Sequence, residues 1–318
     1  MKKILVIQAI RPEAMALLDQ RADITYEVLT DYSPANLLKH IGDADAITVR
    51  TAPLSVDVLE AATQLKGVSR HGVGTDNIPV DYCTERGIPV TIVGNVNSVS
   101  VAEQTLFLML AAAKAGIVLD QAIRRDDYDA RSRVLSTELQ GRTLFIVGYG
   151  RIGQLVAARA RAFELRIVVF DPYMKPENFP EVTFVETLEA GLAQADVLTL
   201  HTPLTPETRN LIGAEQLALM PKGAIVLNLA RGGLIDEAAL LAKVQEGHVY
   251  GAGLDVFAQE PLPAGALVTS DERIVLSPHS AALSEDSLIA MGIATARNAL
   301  AALDGTLDPD LVVNPSVL

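Results

Sequence analysis

Three side chains that together could exchange a proton and bind an anion follow three successive predicted strands in the second half of the sequence. Arg231 comes directly after one apolar run, Glu260 shortly after the next and His279 shortly after a third. Doubly wound α/β sheets place such residues just beyond the carboxyl ends of their strands. We therefore expect these three side chains to line one edge of a single sheet.

The three residue types have complementary roles. Histidine is the only one of the three residue types that ordinarily changes charge near neutral pH, so His279 could give a proton during a reduction and take one during an oxidation. Glu260, if hydrogen-bonded to the ring, would fix its tautomer and favour its charged form. Arg231 offers a fixed fork for a carboxylate or a polarised carbonyl oxygen. Singly, the Arg and Glu are more often solvated surface charges, and the His is about as often a packed loop residue, but together they suit a 2-oxo or 2-hydroxy acid.

A glycine pattern near the middle of the chain predicts a dinucleotide site. Residues 148–153 read Gly-Tyr-Gly-Arg-Ile-Gly, follow a β-like run at residues 143–147 and open an amphipathic helix. The first glycine permits the turn, the second lets the backbone approach a pyrophosphate, and the third lets the helix pack on the strand. The pattern alone is weak, because an ordinary glycine turn has the same letters.

Asp171 strengthens the dinucleotide hypothesis. It ends a second predicted strand, residues 166–170, about 20 residues beyond the glycines, where an acidic side chain accepts hydrogen bonds from the adenosine ribose. A carboxylate would repel a 2′-phosphate, so the expected cofactor is NAD and not NADP. Bound nicotinamide implies hydride transfer, which needs a proton donor and an orienting cation.

A second glycine-bearing loop, residues 70–77, follows a predicted strand in the first part of the chain. Its glycines could expose successive N–H groups to an anion, although an ordinary strand-to-helix turn explains them equally well. Arg50 ends the preceding strand. The two segments give a candidate anion site.

Alternating strands and helices predict an α/β fold with two doubly wound parallel-sheet domains. A Rossmann nucleotide domain, residues 100–287, is expected to be inserted into a discontinuous flavodoxin-like substrate domain of residues 1–99 plus 288–318. A long helix is predicted over residues 97–116 and a last one near residues 284–303. Ser100 followed by Glu103 reads as a helix capping box, so Glu103 is expected to be structural.

Composition excludes several partners. The formal charge of −13 would repel nucleic acid and anionic membranes, so an anionic substrate must meet a local basic pocket. Cys83 is the only cysteine, which precludes an intrachain disulfide and suits a cytoplasmic location. No metal site is expected.

The chain resembles the D-isomer-specific 2-hydroxyacid dehydrogenases over essentially its full length, and most closely the 3-phosphoglycerate dehydrogenase-like branch. The segments that carry the resemblance are Arg70 to Asn77, Asn97 to Glu103, Val147 to Gly153, Asp171-Pro172, His201 to Thr208, Asn228 to Gly233, Gly253 to Pro261 and Ser277-Pro278-His279.

The resemblance implies a catalytic set of Arg231, Glu260 and His279. It also implies that Val73, Gly74 and Arg50 bind the substrate together with Arg231, and that the protein is a homodimer. His71 departs from the family, which often has a small or other aromatic residue there. The expected NAD contacts are Gly148, Gly150, Arg151, Ile152, Gly153, Asp171, His201, Thr202, Pro203, Thr208, Ala230 and Asp255.

The expected activity is reversible hydride transfer between NAD(H) and a small 2-hydroxy or 2-oxo acid, with 3-phosphoglycerate favoured. A hydroxypyruvate or glyoxylate reductase is an alternative within the same class. An NAD(H)-sensing regulatory protein, similar to corepressors that resemble this family, is an alternative from another class.

Overall fold

The computed structural model describes all residues, 1–318, as two compact units. Unit 1 comprises residues 1–97 and 283–318, and unit 2 comprises residues 98–282. Each contains one wholly parallel sheet, which confirms the predicted α/β class. The boundaries lie a few residues before those expected, because the two long helices at the junctions begin at Ser98 and Glu285.

Unit 1 has a five-stranded sheet in the order β2-β1-β3-β4-β5. Strand order reverses between β1 and β3, so the carboxyl ends of these two strands flank a switch point. The strands are β1 (Lys2–Ile7), β2 (Ile24–Leu29), β3 (Ala46–Val49), β4 (Val68–Arg70) and β5 (Val90–Thr91). Its helices are α1 (Pro12–Asp19), α2 (Pro34–His40), α3 (Val56–Ala61), α4 (Val80–Glu85) and, late in the chain, α11 (Glu285–Asp304).

Both faces of this sheet are buried, as parallel sheets require. Residues alternating along β1 contribute to two separate cores, one with Leu5 and one with Ile4. The second core includes Ala296 and Leu303 of α11, so the last helix covers the sheet formed by the first strands.

Unit 2 has a seven-stranded sheet in the order β12-β11-β10-β9-β6-β7-β8. The strands are β6 (Thr143–Val147), β7 (Arg166–Phe170), β8 (Thr183–Phe184), β9 (Val197–Leu200), β10 (Ala224–Asn228), β11 (Val249–Leu254) and β12 (Ile274–Leu276). Its helices are α5 (Ser98–Ala113), α6 (Gly116–Arg124), α7 (Arg151–Ala160), α8 (Leu188–Leu192), α9 (Ala214–Leu219) and α10 (Glu237–Gln245).

The helix predicted over residues 97–116 is observed as α5, and a second helix, α6, which was not predicted, follows it. Ala115 adopts a left-handed conformation with φ of 48°, which ends α5 before α6 begins. The capping-box prediction is wrong, because α5 begins two residues before Ser100 and Glu103 instead lies 3.6 Å from Arg159 Nη2. No single helix is long and apolar enough to cross a membrane, although the bent pair α5 and α6 reaches that length and hydropathy together.

Candidate active site

The carboxyl ends of three neighbouring strands in unit 2 carry the predicted chemical groups. Arg231 follows β10, Glu260 follows β11 and His279 follows β12, and these strands are adjacent in the order β12-β11-β10. Because all three run parallel, their loops leave the same edge of the sheet. The glycine turn after β6 leaves that edge as well.

Glu260 and His279 form a hydrogen-bonded pair at this edge. His279 Nδ1 lies 2.7 Å from Glu260 Oε2, and Glu260 Oε1 accepts a 3.0 Å hydrogen bond from Phe257 N. Because an ionised carboxylate only accepts, Nδ1 carries a hydrogen and Nε2 is the nitrogen that gains or loses the proton. Nε2 has no hydrogen-bond partner within the chain, and about half of the side chain is exposed. The pair can therefore present an acid–base group to a bound molecule.

The loop that carries His279 is fixed by the wholly buried carboxylate of Asp255. Asp255 Oδ1 accepts hydrogen bonds from Ser277 Oγ at 2.5 Å and Ser280 N at 2.9 Å. Its Oδ2 accepts one from Ala281 N at 2.9 Å. His279 adopts a left-handed φ of 50°, a conformation that a non-glycine residue keeps only when its surroundings hold it. The expected contact of Asp255 with NAD stays a prediction.

Arg231 lies on the loop after β10, which a buried amide side chain and a glycine hold in place. Asn228 Nδ2 donates to Arg231 O at 2.8 Å, and Asn228 Oδ1 accepts from Ala230 N at 3.1 Å. Arg231 Nη1 in turn donates to Ala230 O at 2.6 Å. A Cβ at Gly232 would lie 1.7 Å from Phe257 O, so glycine is required for this loop to pack against the loop after β11.

The glycine turn has the shape that a dinucleotide needs. Gly148 has a φ of 91°, and a Cβ there would lie 2.6 Å from His201 O, while a Cβ at Gly153 would lie 2.4 Å from Gly148 O. A Cβ at Gly150 would meet nothing within 4 Å, so this position faces open space. Helix α7 begins at Arg151 with no side-chain cap, which leaves its first N–H groups available to a phosphate. These residues fit a bound NAD pyrophosphate.

Asp171 is held beside that turn by two backbone amides. Its Oδ2 accepts from Tyr149 N at 2.7 Å and its Oδ1 from Tyr173 N at 2.9 Å. The Tyr149 ring is buried and stands edge-on to Phe179 at 5.2 Å and Phe184 at 5.8 Å between centroids. This aromatic cluster ties the segment after β7 to the glycine turn. The carboxylate is therefore fixed beside the glycine turn, and its contact with an adenosine ribose stays a prediction.

The segment after β9 borders the glycine turn, as the approach of His201 O to Gly148 shows. His201 Nε2 lies 3.0 Å from Thr199 Oγ1, and burial lowers the pKa of His201 to about 3, so its ring is neutral at pH 7. Thr208 Oγ1 donates to Pro203 O at 2.8 Å and accepts from Thr205 N at 2.7 Å, which closes the turn. The predicted cofactor contacts in this segment are His201, Thr202, Pro203 and Thr208.

In unit 1, the loop after β4 exposes two backbone amides. Arg70 folds back over this loop and donates from Nε to Gly74 O at 2.8 Å and from Nη1 to His71 O. A Cβ at Gly72, whose φ is 148°, would lie 2.4 Å from Arg70 Nη1, so glycine makes this fold-back possible. The Val73 and Gly74 amides donate no hydrogen bond within the chain. Arg70 thus shapes the loop and leaves two N–H groups for an anion.

Arg50 and His71 lie at the carboxyl ends of neighbouring strands in unit 1. Arg50 Nη1 donates to Ala9 O at 3.1 Å. His71 is only 5% exposed, and burial, reinforced by the charge of Arg50 and then of Arg70, lowers the pKa of His71 to about 4. A neutral imidazole therefore stands beside two guanidinium groups.

Three further polar side chains were not predicted as site residues from the sequence. Asn228 is the polar last residue of the otherwise apolar strand β10, which is a detectable signal, and it anchors the Arg231 loop. Asn97 Oδ1 is buried with no hydrogen-bond partner, which marks it as a candidate binding atom. Gln8, after β1, bonds to the segment after β3 and gives no local signal.

Known proteins resemble this chain in sequence and structure. The family model for the NAD binding domain of the D-isomer specific 2-hydroxyacid dehydrogenases matches residues 106–281. The D-3-phosphoglycerate dehydrogenase of Methanocaldococcus jannaschii is 41% identical over 321 residues, covering 100% of this chain and 60% of that protein. The glyoxylate reductase of Aeropyrum pernix is 37% identical over 322 residues, covering 98% of this chain and 95% of that protein.

Among solved structures, the D-lactate dehydrogenase of Aquifex aeolicus complexed with NAD and lactic acid matches with a TM-score of 0.85 and 25% identity, over 98% of this chain and 99% of that chain. The chain spans about three fifths of the length of the phosphoglycerate dehydrogenases that it matches.

Proposed function

The chain belongs to the D-isomer specific 2-hydroxyacid dehydrogenases, and from that premise we propose that it transfers a hydride reversibly between NAD(H) and a small 2-hydroxy acid. The proposed substrate is 3-phosphoglycerate. The observation that supports the chemistry best is the 2.7 Å contact between His279 Nδ1 and Glu260 Oε2, at the sheet edge that also carries the glycine turn.

Bound NAD(H) supplies or accepts the hydride at the substrate carbon. During reduction, His279 Nε2 gives its proton to the carbonyl oxygen, which becomes the hydroxyl of the product. Glu260 accepts the hydrogen bond from Nδ1 and stabilises the ring while the ring is positively charged. During oxidation the same nitrogen takes the hydroxyl proton. Carbon gains or loses the hydride and oxygen the proton, so the two transfers balance.

Arg231 supplies the fixed positive charge of this chemistry. Its guanidinium cannot give up its proton at physiological pH, so it can bind the substrate carboxylate and polarise the carbonyl oxygen without competing with His279 for the proton. Asn228 and Gly232 set the loop from which Arg231 extends. The arginine thus orients the substrate while the histidine exchanges the proton.

Residues of unit 2 hold the cofactor in this proposal. The uncapped start of α7 and the open face of Gly150 receive the pyrophosphate, and Asp171 receives the ribose hydroxyls. The remaining expected contacts, including His201, Ala230 and Asp255, are part of the same proposal.

Two features of unit 1 favour a substrate that carries a second anionic group. Its loop after β4 leaves the Val73 and Gly74 amides available, and the Arg50 side chain makes only one hydrogen bond within the chain. A substrate with a single carboxylate would not need two separate anion-binding elements. Their presence supports 3-phosphoglycerate, which carries a carboxylate and a phosphate.

A substrate with one anionic group is the second candidate. The Aeropyrum pernix relative, a glyoxylate reductase, is matched over 95% of its own length, which favours glyoxylate or hydroxypyruvate. The decrease in NADH absorbance with 3-phosphohydroxypyruvate, hydroxypyruvate and glyoxylate separates these candidates. Highest kcat/KM for the phosphorylated acid supports the first proposal, and no turnover of any of the three overturns both.

A homodimer through unit 2 is part of the proposal. Large apolar side chains of α5, α6 and the following segment are exposed, among them Phe107, Ile123, Tyr128 at 63% and Leu135 at 74%. Exposed large apolar side chains on neighbouring elements support a protein interface there. Light scattering should give twice the mass of one chain, and Phe107→Asp should reduce the measured mass.

The free, buried Cys83 thiol supports the proposed cytoplasmic location.

A further inference from the structure

Gln8 has an unusual backbone conformation at the switch point of the unit 1 sheet. It follows β1 directly, is half-buried and has a φ of 67°, in the left-handed region that favours glycine. Residues held in this region mark places where the surroundings over-determine the backbone, often near functional sites. A side chain at this position therefore needs an explanation.

The Gln8 side chain binds the backbone that follows β3. Its Oε1 accepts hydrogen bonds from Thr51 N at 2.8 Å and Ala52 N at 2.9 Å, and its Nε2 donates to Thr51 Oγ1 at 3.1 Å. From the other side, Asn77 Nδ2 donates to Ala52 O at 2.8 Å and Arg50 O at 3.2 Å. Two amide side chains thus hydrogen-bond two N–H groups and two C=O groups of this short segment.

Arg50 begins the segment and is tied to the same turn. Its Nη1 donates to the carbonyl oxygen of Ala9, the residue after Gln8, at 3.1 Å. The remaining guanidinium donors have no partner within the chain. The backbone and the side chain of Arg50 are therefore both set by the turn at Gln8 and Ala9.

We propose that Gln8 is a positioning residue, which holds the Thr51–Ala52 backbone so that Arg50 presents its open guanidinium donors to the second anionic group of the substrate. This inference rests on the proposed function. The proposal explains why glutamine occupies this left-handed position. A glycine would adopt the same φ more easily but could not accept the two amide hydrogen bonds. Because Arg50 is already held in place, its side chain loses less conformational entropy when the substrate binds.

The test compares Gln8→Gly with the unaltered enzyme on two substrates. Gly tolerates the left-handed turn, so this variant removes the side-chain contacts without adding strain. We expect its KM for 3-phosphohydroxypyruvate to rise about tenfold, with kcat and the KM for NADH within about twofold. The KM for glyoxylate, which lacks a second anionic group, should stay within about twofold. An equal rise for both substrates, or a fall in kcat alone, would contradict the proposal.

An Arg50→Ala background shows whether Gln8 acts through Arg50. Adding Gln8→Gly to Arg50→Ala should change the KM for 3-phosphohydroxypyruvate by less than about twofold, because the positioned group is already gone. Full additivity of the two changes would overturn the positioning role. Thr51→Ala is the matched control, since it removes the hydroxyl contact and keeps both amide hydrogen bonds, and its KM should stay within about twofold.

Amide hydrogen exchange gives a readout independent of turnover. Gln8→Gly should accelerate exchange at Thr51 and Ala52, whereas Gln8→Glu, which keeps the acceptor oxygen atoms, should preserve their protection. Unchanged exchange in Gln8→Gly overturns the inference whatever the activity. Absence of turnover by the unaltered enzyme with any of the 2-oxo acids instead overturns the proposed function, and the exchange result still decides the backbone role.

Discussion

The main-chain amide of His279 donates a 2.7 Å hydrogen bond to the carbonyl oxygen of Asp255. The Asp255 carboxylate also accepts hydrogen bonds from the amides of Ser280 and Ala281, the two residues that follow His279. Asp255, the buried residue that follows β11, therefore fixes the left-handed backbone of the residue proposed to carry the proton, through both its carbonyl oxygen and its carboxylate. The backbone of the proposed proton carrier thus depends on a residue that is not hydrogen-bonded to its ring.

Asp255→Asn should destabilise the protein. The amide keeps one acceptor oxygen but turns an N–H donor toward another donor, so a charge-assisted hydrogen bond is replaced by a buried mismatch. We expect the free energy of unfolding to fall by about 2–3 kcal/mol. Urea unfolding measures the change. The matched control is Asp236→Asn, an exposed cap of α10, which should lose less than about 0.5 kcal/mol because Asn caps helices as well as Asp.

The glycine turn predicts opposite outcomes for two single-methyl changes. Gly150→Ala places its Cβ in open space, so the apo protein should unfold at the same temperature while the Kd for NADH rises at least about tenfold. Gly148→Ala places its Cβ 2.6 Å from His201 O at a φ of 91°, so it should destabilise the fold by about 2 kcal/mol or more. Thermal unfolding and NADH fluorescence titration distinguish them. Equal NADH affinity in Gly150→Ala would remove the pyrophosphate from this position.

Asp171 should determine the preference for NADH over NADPH. Asp171→Ala removes the carboxylate that would bind the ribose hydroxyls and repel a 2′-phosphate. The ratio of kcat/KM for NADH to that for NADPH should fall by about 10–100-fold, the effect of one or two charged hydrogen bonds. Because the carboxylate also binds Tyr149 N and Tyr173 N, Asp171→Asn is a useful companion that keeps an acceptor. An unchanged ratio in both variants would mean that another group selects the cofactor.

His71 should make the stability of the protein depend on acidity. Its pKa is lowered from 6.5 to about 4 in the folded state, so between these values the unfolded chain binds more protons. The free energy of unfolding therefore rises with pH between these two values. It should fall by about 2 kcal/mol when the pH is lowered from 7 to 5. His71→Leu should flatten this part of the urea-unfolding profile. His40→Gln, at a half-exposed histidine, is the control, and an identical slope in His71→Leu would contradict the assignment.

Strand positions could be predicted from the sequence because apolar β-branched runs are bounded by polar residues and glycines. The run Thr143–Val147 is predicted and observed at the same residues. The break at Ala115 could not be predicted, since alanine favours helix and only tertiary packing imposes its left-handed backbone. The roles of Gln8 toward Thr51 and of Asp255 toward the His279 loop depend on segments distant in sequence, which no local pattern encodes.

Replacement of His279 tests the central claim most directly. His279→Gln removes the imidazole proposed to carry the proton, so the Kd for NADH should stay within about twofold while kcat for the best 2-oxo acid falls by about 10²–10⁴-fold. Glu260→Gln, which keeps the shape of the partner but not its charge, should lower kcat less. Pre-steady-state measurement of NADH oxidation isolates the chemical step from product release. A chemical step in His279→Gln within a few-fold of the unaltered rate would show that the proton comes from another group.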